Sequence, residues 1–232
     1  MAEYSTETLT HGTQVYCSAA HRFGSDALLL ARFCRPWRAQ RAVDLCSGCG
    51  IVALEWHDGG HAGPCLAVEQ AAEASALLAA ALADQQLTHI TPVCADLRRW
   101  RASAPGQFDV VACNPPYFAA GQASPTAARA AARHEGEASC TLDEVCGAAA
   151  CLLRDGGRFA VCHRPERLAD LFAALRAAQL EPKRMAFVKN APKKAPWLVL
   201  VEAQKNRRPG LRVEPDVLTG GGSAATRYGT PG

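Results

Sequence analysis

The sequence predicts an α/β fold with a doubly wound sheet of seven strands that is mostly parallel and ends in an antiparallel hairpin at one edge. Three observations predict it. With 232 residues, the chain is long enough for one sizeable core and too short for two average domains. From Ala42 onward, short β-branched or apolar runs alternate with Ala- and Leu-rich stretches of helical length, as in a parallel sheet. The last two apolar runs are separated only by residues 189–196, so the chain turns back there without a crossover helix.

Each element has its own local signal. The stretch SDALLLARFC reads as an amphipathic helix that Ser25 caps, and it ends an N-terminal segment spanning residues 1–41. The seven predicted strands are, in order, Ala42–Cys46, Cys65–Glu69, Thr91–Ala95, Phe108–Cys113, Arg158–Cys162, Lys183–Val188 and Trp197–Ala203. The predicted helices between them are Ile51–His57, Ala71–Asp84, Thr141–Leu153, which opens on a capping box of Thr141 and Glu144, and Pro165–Ala178. The sheet domain therefore spans residues 42–213, and the Gly-rich stretch 214–232 is expected to be a flexible tail.

Composition excludes several classes of protein. Hydrophobic residues make up 49% of the chain, but no apolar run approaches the roughly 18 residues of a membrane span, so we expect no membrane partner. The N-terminus lacks the basic region and apolar stretch of a secretory signal, which predicts a cytoplasmic protein. The eleven cysteines are an odd number, and many lie in apolar runs where a reduced thiol acts as a small hydrophobe. The single CxxC, Cys46 to Cys49, has no second pair, so no metal is expected.

Basic residues are concentrated near the C-terminus. Nine Lys or Arg lie between Leu180 and Arg212 against two Glu, in a chain whose net charge is only +3. Charge alone leaves two readings open, a solvated face and a surface that binds phosphates. The candidate RNA-binding residues in this stretch are Lys183, Arg184, Lys189, Lys193, Lys194, Arg207 and Arg208.

A glycine loop, DLCSGCGIVA, follows the first predicted strand. Its GxGxxA spacing, with Glu69 placed 19 residues after Gly50, also fits a dinucleotide site. Asp44 favours another cofactor, because its carboxylate would repel a pyrophosphate and would suit the ammonium and sulfonium of S-adenosyl-L-methionine. On this reading Gly48 and Gly50 allow close approach of the backbone, and Glu69 accepts hydrogen bonds from the ribose. The candidate cofactor residues of the loop and the next strand ends are Asp44, Ser47, Gly48, Gly50, Glu69, Asp96 and Leu97; a helix or turn cap is the alternative for Asp96.

The fourth predicted strand ends at CNPPYF, a corner made rigid by two prolines. A plain turn is one reading. The other is catalytic, since the side-chain oxygen of Asn114 and the carbonyl of Pro115 would accept hydrogen bonds from the amino group of a planar base and direct its lone pair to the methyl group. Tyr117 would stack on the ring, and positioning would provide most of the catalysis. The candidate catalytic residues are Asn114, Pro115, Pro116 and Tyr117, and Asn114 also faces the cofactor.

The glycine loop and NPPY together resemble the class I, Rossmann-like S-adenosylmethionine-dependent methyltransferases, in which NPPY is typical of enzymes that modify planar nitrogens. Further stretches, namely HRFGSDALLLARF, ARHE, HRPERL and EPKRMAFV, resemble the bacterial valine-tRNA adenine-N6-methyltransferases, closest to the form seen in Gram-positive bacteria. This resemblance runs from about Phe23 to Val213. It implies a class I methyltransferase fold and methylation of the adenine immediately 3′ of the anticodon in a valine tRNA.

The resemblance also implies roles for single residues. Ser25 and Asp26 would help to close the cofactor pocket, although Ser25 can be a plain cap. Arg133, in ARHE, would meet a phosphate of the tRNA or pair with Glu137 one turn on. The rival readings are a glutamine methyltransferase of release factors, which carries a long helical domain where only 41 residues precede Ala42 here, and a ribosomal RNA methyltransferase. From another class, the chain could be a non-catalytic RNA-binding protein on the same scaffold.

Overall fold

The computed structural model describes residues 4–115 and 140–220. Its strands are β1 (Ser5–Thr8), β2 (Gln14–Cys17), β3 (Ala42–Leu45), β4 (Cys65–Glu69), β5 (Ile90–Cys94), β6 (Phe108–Cys113), β7 (Leu153–His163), β8 (Leu180–Lys189), β9 (Leu198–Lys205), β10 (Arg212–Val213) and β11 (Val217–Leu218). Its α-helices are α1 (Ser25–Phe33), α2 (Ile51–Asp58), α3 (Ala72–Asp84), α4 (Leu97–Trp100), α5 (Leu142–Leu152) and α6 (Leu168–Ala177). Short 3₁₀ turns at Arg101–Ser103 and Pro165–Arg167 precede β6 and α6.

Nine of the eleven described strands form one large sheet, and β1 and β2 form a separate two-stranded one. The strand order of the large sheet is β10-β8-β9-β7-β6-β3-β4-β5, and β11 also pairs with β8. Strands β3 to β7 run parallel, whereas β9 lies antiparallel between β7 and β8. The predicted doubly wound, mostly parallel sheet with an antiparallel edge hairpin is therefore confirmed. The two-residue strands β10 and β11 extend that edge, and β11 lies within the stretch for which the sequence predicts a flexible tail.

Helices cover both faces of the sheet, because its central strands are apolar on both sides. In β3, the alternate residues Ala42 and Val43 join two different clusters of buried side chains. The first cluster contains the apolar faces of α1, α2 and α3, and the second contains those of α5 and α6. Helices thus cover the sheet on both faces, and the candidate site lies at the carboxyl ends of its parallel strands.

The N-terminal segment differs from its prediction. Strands β1 and β2 form an antiparallel hairpin that the sequence did not indicate, and β2 packs against α3. Ser25 does not cap α1: the cap position is Gly24, whose backbone is extended, and no side chain bonds to the helix terminus there. Ser25 is the first helical residue instead. The capping box of Thr141 and Glu144 on α5 is confirmed, with both reciprocal hydrogen bonds present.

None of the helices in residues 4–115 and 140–220 is long and apolar enough to cross a bilayer. Within the same ranges, no group of three or more His, Cys, Asp and Glu side chains is arranged to hold a metal ion.

Candidate active site

A cavity of about 220 Å³ opens at the carboxyl edge of the sheet, beside the ends of β3 and β6. Open α/β sheets bind ligands at this edge, in the crevice beyond the strand ends. Three parts of the chain line the cavity: the segment leading into α1, including Arg22 and Asp26; the glycine loop, including Asp44 and Gly48; and Asn114 after β6. Residues that are far apart in the sequence therefore meet here.

The glycine loop makes a sharp turn from β3 into α2. Cys46, Gly48 and Gly50 all have left-handed backbones, with φ of 54°, 55° and 82°. The two glycines are needed for different reasons. A Cβ at Gly50 would lie 2.4 Å from the buried Leu78 side chain, whereas a Cβ at Gly48 would meet nothing within 4 Å. Gly50 therefore serves the packing of α2 on α3, and Gly48 keeps the backbone open beside the cavity.

The alanine variants of these glycines should separate stability from binding. We expect Gly50→Ala to lower the free energy of unfolding by about 2–4 kcal/mol, from the left-handed backbone and the overpacking against Leu78. Gly48→Ala should cost only about 1–2 kcal/mol of backbone strain. It should instead weaken ligand binding, because its methyl group would stand in the open space beside the cavity. Urea unfolding and calorimetric cofactor titration of both variants test this, and equal destabilisation would contradict it.

Asp44 is a buried carboxylate without a full set of partners. It is only 1% exposed, and its Oδ2 has no hydrogen-bond partner among the described residues. Burial raises the pKa of Asp44 well above its usual range, although a hydrogen bond from the backbone of Ala53 opposes this. A buried carboxylate with one oxygen unsatisfied is costly, so the site favours a ligand that brings positive charge. The Oγ of Ser47 is also buried, and it has no partner within the same described ranges.

Glu69 ties the loop to the next element. Its Oε2 accepts a hydrogen bond from the Gly48 N–H, and its Oε1 accepts one from the Ala71 N–H, both at 2.9 Å. Each carboxylate oxygen retains a second lone pair, so hydroxyl groups can still bind there. Glu69 thus shapes the glycine loop at the same time as it presents acceptors at the end of β4.

Asp96 and Leu97 stand apart from the described cavity, since neither lines it. Asp96 is the N-cap of α4 and accepts a hydrogen bond from the Arg98 N–H at 2.9 Å. The Arg98 guanidinium binds both oxygens of the same carboxylate and holds the pKa of Asp96 below its usual value. Leu97 is buried in the core beneath. The interpretation of Asp96 as a helix cap is confirmed, and any ligand contact would have to share its carboxylate with Arg98.

Asn114 is held between two elements. Its side-chain NH₂ donates to Asp26 Oδ2 on α1 at 3.1 Å, and its Oδ1 accepts from the Cys162 thiol on β7 at 3.1 Å. Pro115 is buried directly after it. Ser25 is exposed and does not line the cavity, unlike its neighbour Asp26. The predicted residues Pro116, Tyr117 and Arg133 lie outside the described ranges. Cys162 was missed by sequence reasoning, because a cysteine in an apolar strand carries no signal of a polar role.

The seven candidate RNA-binding residues do not share one surface. The pairing of His163 with Val199 and of Val188 with Leu198 places the β8–β9 loop at the cavity edge of the sheet. Arg184 and Glu202 pair about 13 Å further along the hairpin, midway along β8, and Leu180 pairs with Lys205 at its far end. Lys189, Lys193 and Lys194 therefore lie at the cavity edge, whereas Lys183, Arg207 and Arg208 lie toward the opposite one. The basic stretch is thus spread along the hairpin, and the RNA-binding role of its residues stays a prediction.

Several of these basic side chains already have structural partners. Arg184 donates to the Phe33 carbonyl and to Glu202 and stacks on the Phe33 ring. Lys189 pairs with Asp216 at 2.6 Å, and Arg207 pairs with Asp155 at 3.1 Å. Lys193 and Lys194 are exposed in the loop. The loop lysines are thus the members of the set that both face solvent and lie at the cavity edge.

The chain is similar to one protein family and to several curated relatives. Residues 6–172 match the family model described as Methyltransferase small domain. A tRNA1(Val) (adenine(37)-N6)-methyltransferase of Tolumonas auensis is 29% identical over 195 residues, which cover 78% of this chain and 76% of the relative. One of Shewanella loihica is 28% identical over 74% of this chain and 72% of the relative. These relatives do not support the narrower resemblance to the form seen in Gram-positive bacteria.

Solved structures show the same fold. A predicted O-methyltransferase from Agrobacterium tumefaciens has a TM-score of 0.66 at 20% identity, and the match covers 87% of this chain and 91% of that one. TrmN from Thermus thermophilus has a TM-score of 0.54 at 21% identity, over 77% of this chain and 48% of that one. At such low identity the likeness concerns the arrangement of strands and helices alone.

Proposed function

Because the chain belongs to the methyltransferase small domain family, we propose that it transfers the methyl group of S-adenosyl-L-methionine to the exocyclic N6 of adenine in a tRNA. We propose further that this adenine is the one immediately 3′ of the anticodon in a valine tRNA, as the names of its curated relatives suggest. A cytoplasmic location belongs to the same proposal. The observation that carries it is that the Asn114 amide lines the same cavity as the buried carboxylate of Asp44, whose Oδ2 has no partner among the described residues.

The residues present fit this cofactor. When bound, S-adenosyl-L-methionine supplies an electrophilic methyl group on a sulfonium. The buried carboxylate of Asp44 would pair with the positively charged groups of the cofactor. Gly48 leaves room for the cofactor to approach the backbone. Glu69 offers lone pairs to the ribose hydroxyls, and the Ser47 hydroxyl offers a further polar group. Asp96 and Leu97 would receive the adenine of the cofactor only if Arg98 shares the Asp96 carboxylate.

Asn114 and Pro115 would position the adenine amine. The lone pair of such an amine is delocalised into the ring, so the amine is a poor nucleophile. Two acceptors, the Asn114 side-chain oxygen and the Pro115 carbonyl, would hold both N–H bonds and direct the lone pair along the line of attack. The nitrogen loses a proton readily once methylated, so no strong base is needed beforehand. Pro116 would stiffen the corner, Tyr117 would stack on the base, and Arg133 would meet a phosphate.

The RNA would approach from the cavity edge of the sheet. An adenine in an anticodon loop is less firmly stacked than one in a duplex, so it can enter a pocket at a lower cost. Lys193 and Lys194 project from the β8–β9 loop at this edge, and Arg164 is exposed directly after β7, the strand next to β9. Arg22 is exposed at the cavity itself. We propose that these four side chains hold the phosphates around the reacting base and that the basic residues of the opposite edge do not.

Charge reversal should distinguish the two edges. Lys193→Glu with Lys194→Glu should weaken tRNA binding by about 10-fold or more and reduce the dependence of binding on salt concentration, since each lysine releases counterions. The matched control, Arg207→Glu with Arg208→Glu, makes the same change in net charge at the far edge. It should leave tRNA affinity within about threefold, because long-range attraction is screened at physiological salt. Filter binding at several salt concentrations measures both, and equal losses would contradict the assignment of the edge.

The reaction itself is tested with methyl-labelled S-adenosyl-L-methionine. The substrates are an unmodified valine tRNA transcript, the same transcript with guanine at the position 3′ of the anticodon, ribosomal RNA and a release factor. Label that appears as N6-methyladenosine in the first transcript and not in the second would support the proposal. Label only in the release factor or only in ribosomal RNA would overturn it in favour of those rivals. Binding of the tRNA without any transfer would favour a non-catalytic RNA-binding protein.

A further inference from the structure

We infer that Asp26 and Cys162 are positioning residues that hold the side-chain amide of Asn114 with its oxygen toward the substrate amine. This inference rests on the proposed function, because it concerns how Asn114 serves as an acceptor. It assigns Asp26 a task in orienting the catalytic group, in addition to its place on the wall of the cavity. It also gives a task to a buried cysteine.

Two contacts favour one orientation of the amide. A carboxylate can only accept hydrogen bonds, so Asp26 Oδ2 requires the NH₂ of Asn114, which it meets at 3.1 Å. The Cys162 thiol is the donor on the other side, and it meets Oδ1 at 3.1 Å. If the amide were flipped, its oxygen would face the Asp26 carboxylate, which repels it, and its NH₂ would face a weak acceptor. Both neighbours therefore favour the same orientation.

The fold brings the three side chains together through two separate elements. Strands β6 and β7 are parallel, and Cys113 pairs with Val161, so the next residues of the two strands, Asn114 and Cys162, are also neighbours. Asp26 lies in the first turn of α1, which packs against β7. Cys162 is fully buried, so its thiol lies within the packed core. The Asn114 amide is thus held by Cys162 of β7 in the core and by Asp26 of α1 beside the cavity.

This orientation matters for catalysis. A carbonyl oxygen has two lone pairs, so Oδ1 can accept from the thiol and still accept from a substrate amine. An amide free to rotate would present its NH₂ to that amine in part of the molecules, and two donors would then face each other. Holding the oxygen in place beforehand removes this unproductive state, which is the general advantage of a preorganised acceptor. Asp26 should therefore affect kcat more than it affects cofactor binding.

A swap of the two side chains tests the pair. Asn114→Asp alone places two carboxylates side by side and should lower kcat for tRNA methylation about 100-fold. Adding Asp26→Asn restores a donor and an acceptor in reversed positions, so the double variant should recover at least about 10-fold of that loss. Asp26→Leu alone should lower kcat about 10- to 100-fold, a larger factor than the change in the Kd for S-adenosyl-L-methionine. A double variant no more active than Asn114→Asp would overturn the inference, as would an Asp26→Leu variant whose loss lies in cofactor affinity.

Cys162 provides a second comparison. Cys162→Ser keeps a donor at this position and should retain kcat within about threefold, whereas Cys162→Ala removes it and should lose about 3- to 10-fold. Equal kcat for the two variants would contradict a role for the thiol. Thermal melting of each variant shows whether it is folded at the assay temperature, so a loss through unfolding is recognised.

A readout independent of turnover separates this inference from the proposed function. The chain has only three asparagines, so the side-chain NH₂ signals of selectively labelled protein can be assigned by substitution. Asp26→Leu should shift the Asn114 NH₂ signals and leave those of Asn190 and Asn206 in place. If the wild-type protein methylates no tRNA, the proposed function fails, and the Asn114 signals still decide the inference. Unchanged Asn114 signals would overturn it.

Discussion

Asn114→Ala is expected to lower kcat for methyl transfer about 100- to 1000-fold, the range seen when a single preorganised polar group is removed from an active site. The reason is specific to its place in the structure. The amide is directed from both sides, by Asp26 and Cys162, and alanine removes the only side-chain acceptor that we assign to the reacting amine. The Pro115 carbonyl would remain, so transfer should fall without ceasing entirely. Affinity for S-adenosyl-L-methionine should change less than about threefold, because Asp44 and Glu69 are untouched.

The measurement is single-turnover methylation of valine tRNA, together with calorimetric titration of the cofactor. The matched control is Asn190→Ala, which removes the same side chain from an exposed position just after β8, at the same edge of the sheet. It should leave both quantities near the wild-type values. Near-normal turnover of Asn114→Ala would refute its catalytic role, and a large loss of cofactor affinity would reassign Asn114 to cofactor binding.

The large sheet could be predicted because each of its central strands is recognisable from its own local sequence. A strand such as AVDL in β3 is buried at every position, so it reads as an apolar run whatever it pairs with. The hairpin of β1 and β2 gives no such signal, because the four residues of β1 are all exposed and polar or charged. β1 forms because it pairs with β2, whose Val15 and Cys17 are buried. The local sequence of β1 alone does not predict this pairing.

The residues of the candidate site also differ in whether the local sequence predicts them. Asp44, Glu69 and Asn114 could be placed because each follows or ends an apolar run, and the carboxyl ends of parallel strands meet at one edge. The partnership of Cys162 with Asn114 depends on the register between β6 and β7, which the sequence does not specify. The positions of the basic residues depend on the same kind of pairing. Lys183 and Lys193 are close in sequence, but the antiparallel hairpin places them toward opposite ends of its strands.

Asp44→Asn is expected to make the ligand-free protein more stable and the cofactor complex weaker. Burial raises the pKa of Asp44 in the folded state, so at pH values between the unfolded and the folded pKa the native state holds more protons than the unfolded state. Stability contributed by this group is therefore greatest in acid and declines as pH rises through that window. Asparagine cannot ionise, so the variant should escape the decline. At neutral pH we expect a gain of roughly 1 kcal/mol, or about 2–4 °C in Tm for a chain of this size.

Cofactor binding should change in the opposite direction. The cationic groups of S-adenosyl-L-methionine would supply the partner that Asp44 Oδ2 lacks among the described residues, so wild-type protein should gain thermal stability when the cofactor is added. Asp44→Asn should lower cofactor affinity about 10- to 100-fold, the cost of replacing a charged hydrogen-bond partner by a neutral one. Thermal unfolding of both proteins with and without cofactor, at pH 5 and pH 8, measures the two effects together.

Asp58 provides the control of opposite sign. Its carboxylate is nearly as buried as that of Asp44, but it accepts hydrogen bonds from the backbone N–H groups of His11 and Thr13. Burial alone would raise the pKa of Asp58, and these hydrogen bonds outweigh burial and lower it. Its stabilisation is therefore present above the unfolded pKa and is lost as pH falls, so Asp58→Asn should destabilise the protein more at pH 8 than near pH 3. If Asp44→Asn behaved like Asp58→Asn, or bound the cofactor normally, Asp44 would be a satisfied structural carboxylate and not the anionic centre of the cofactor site.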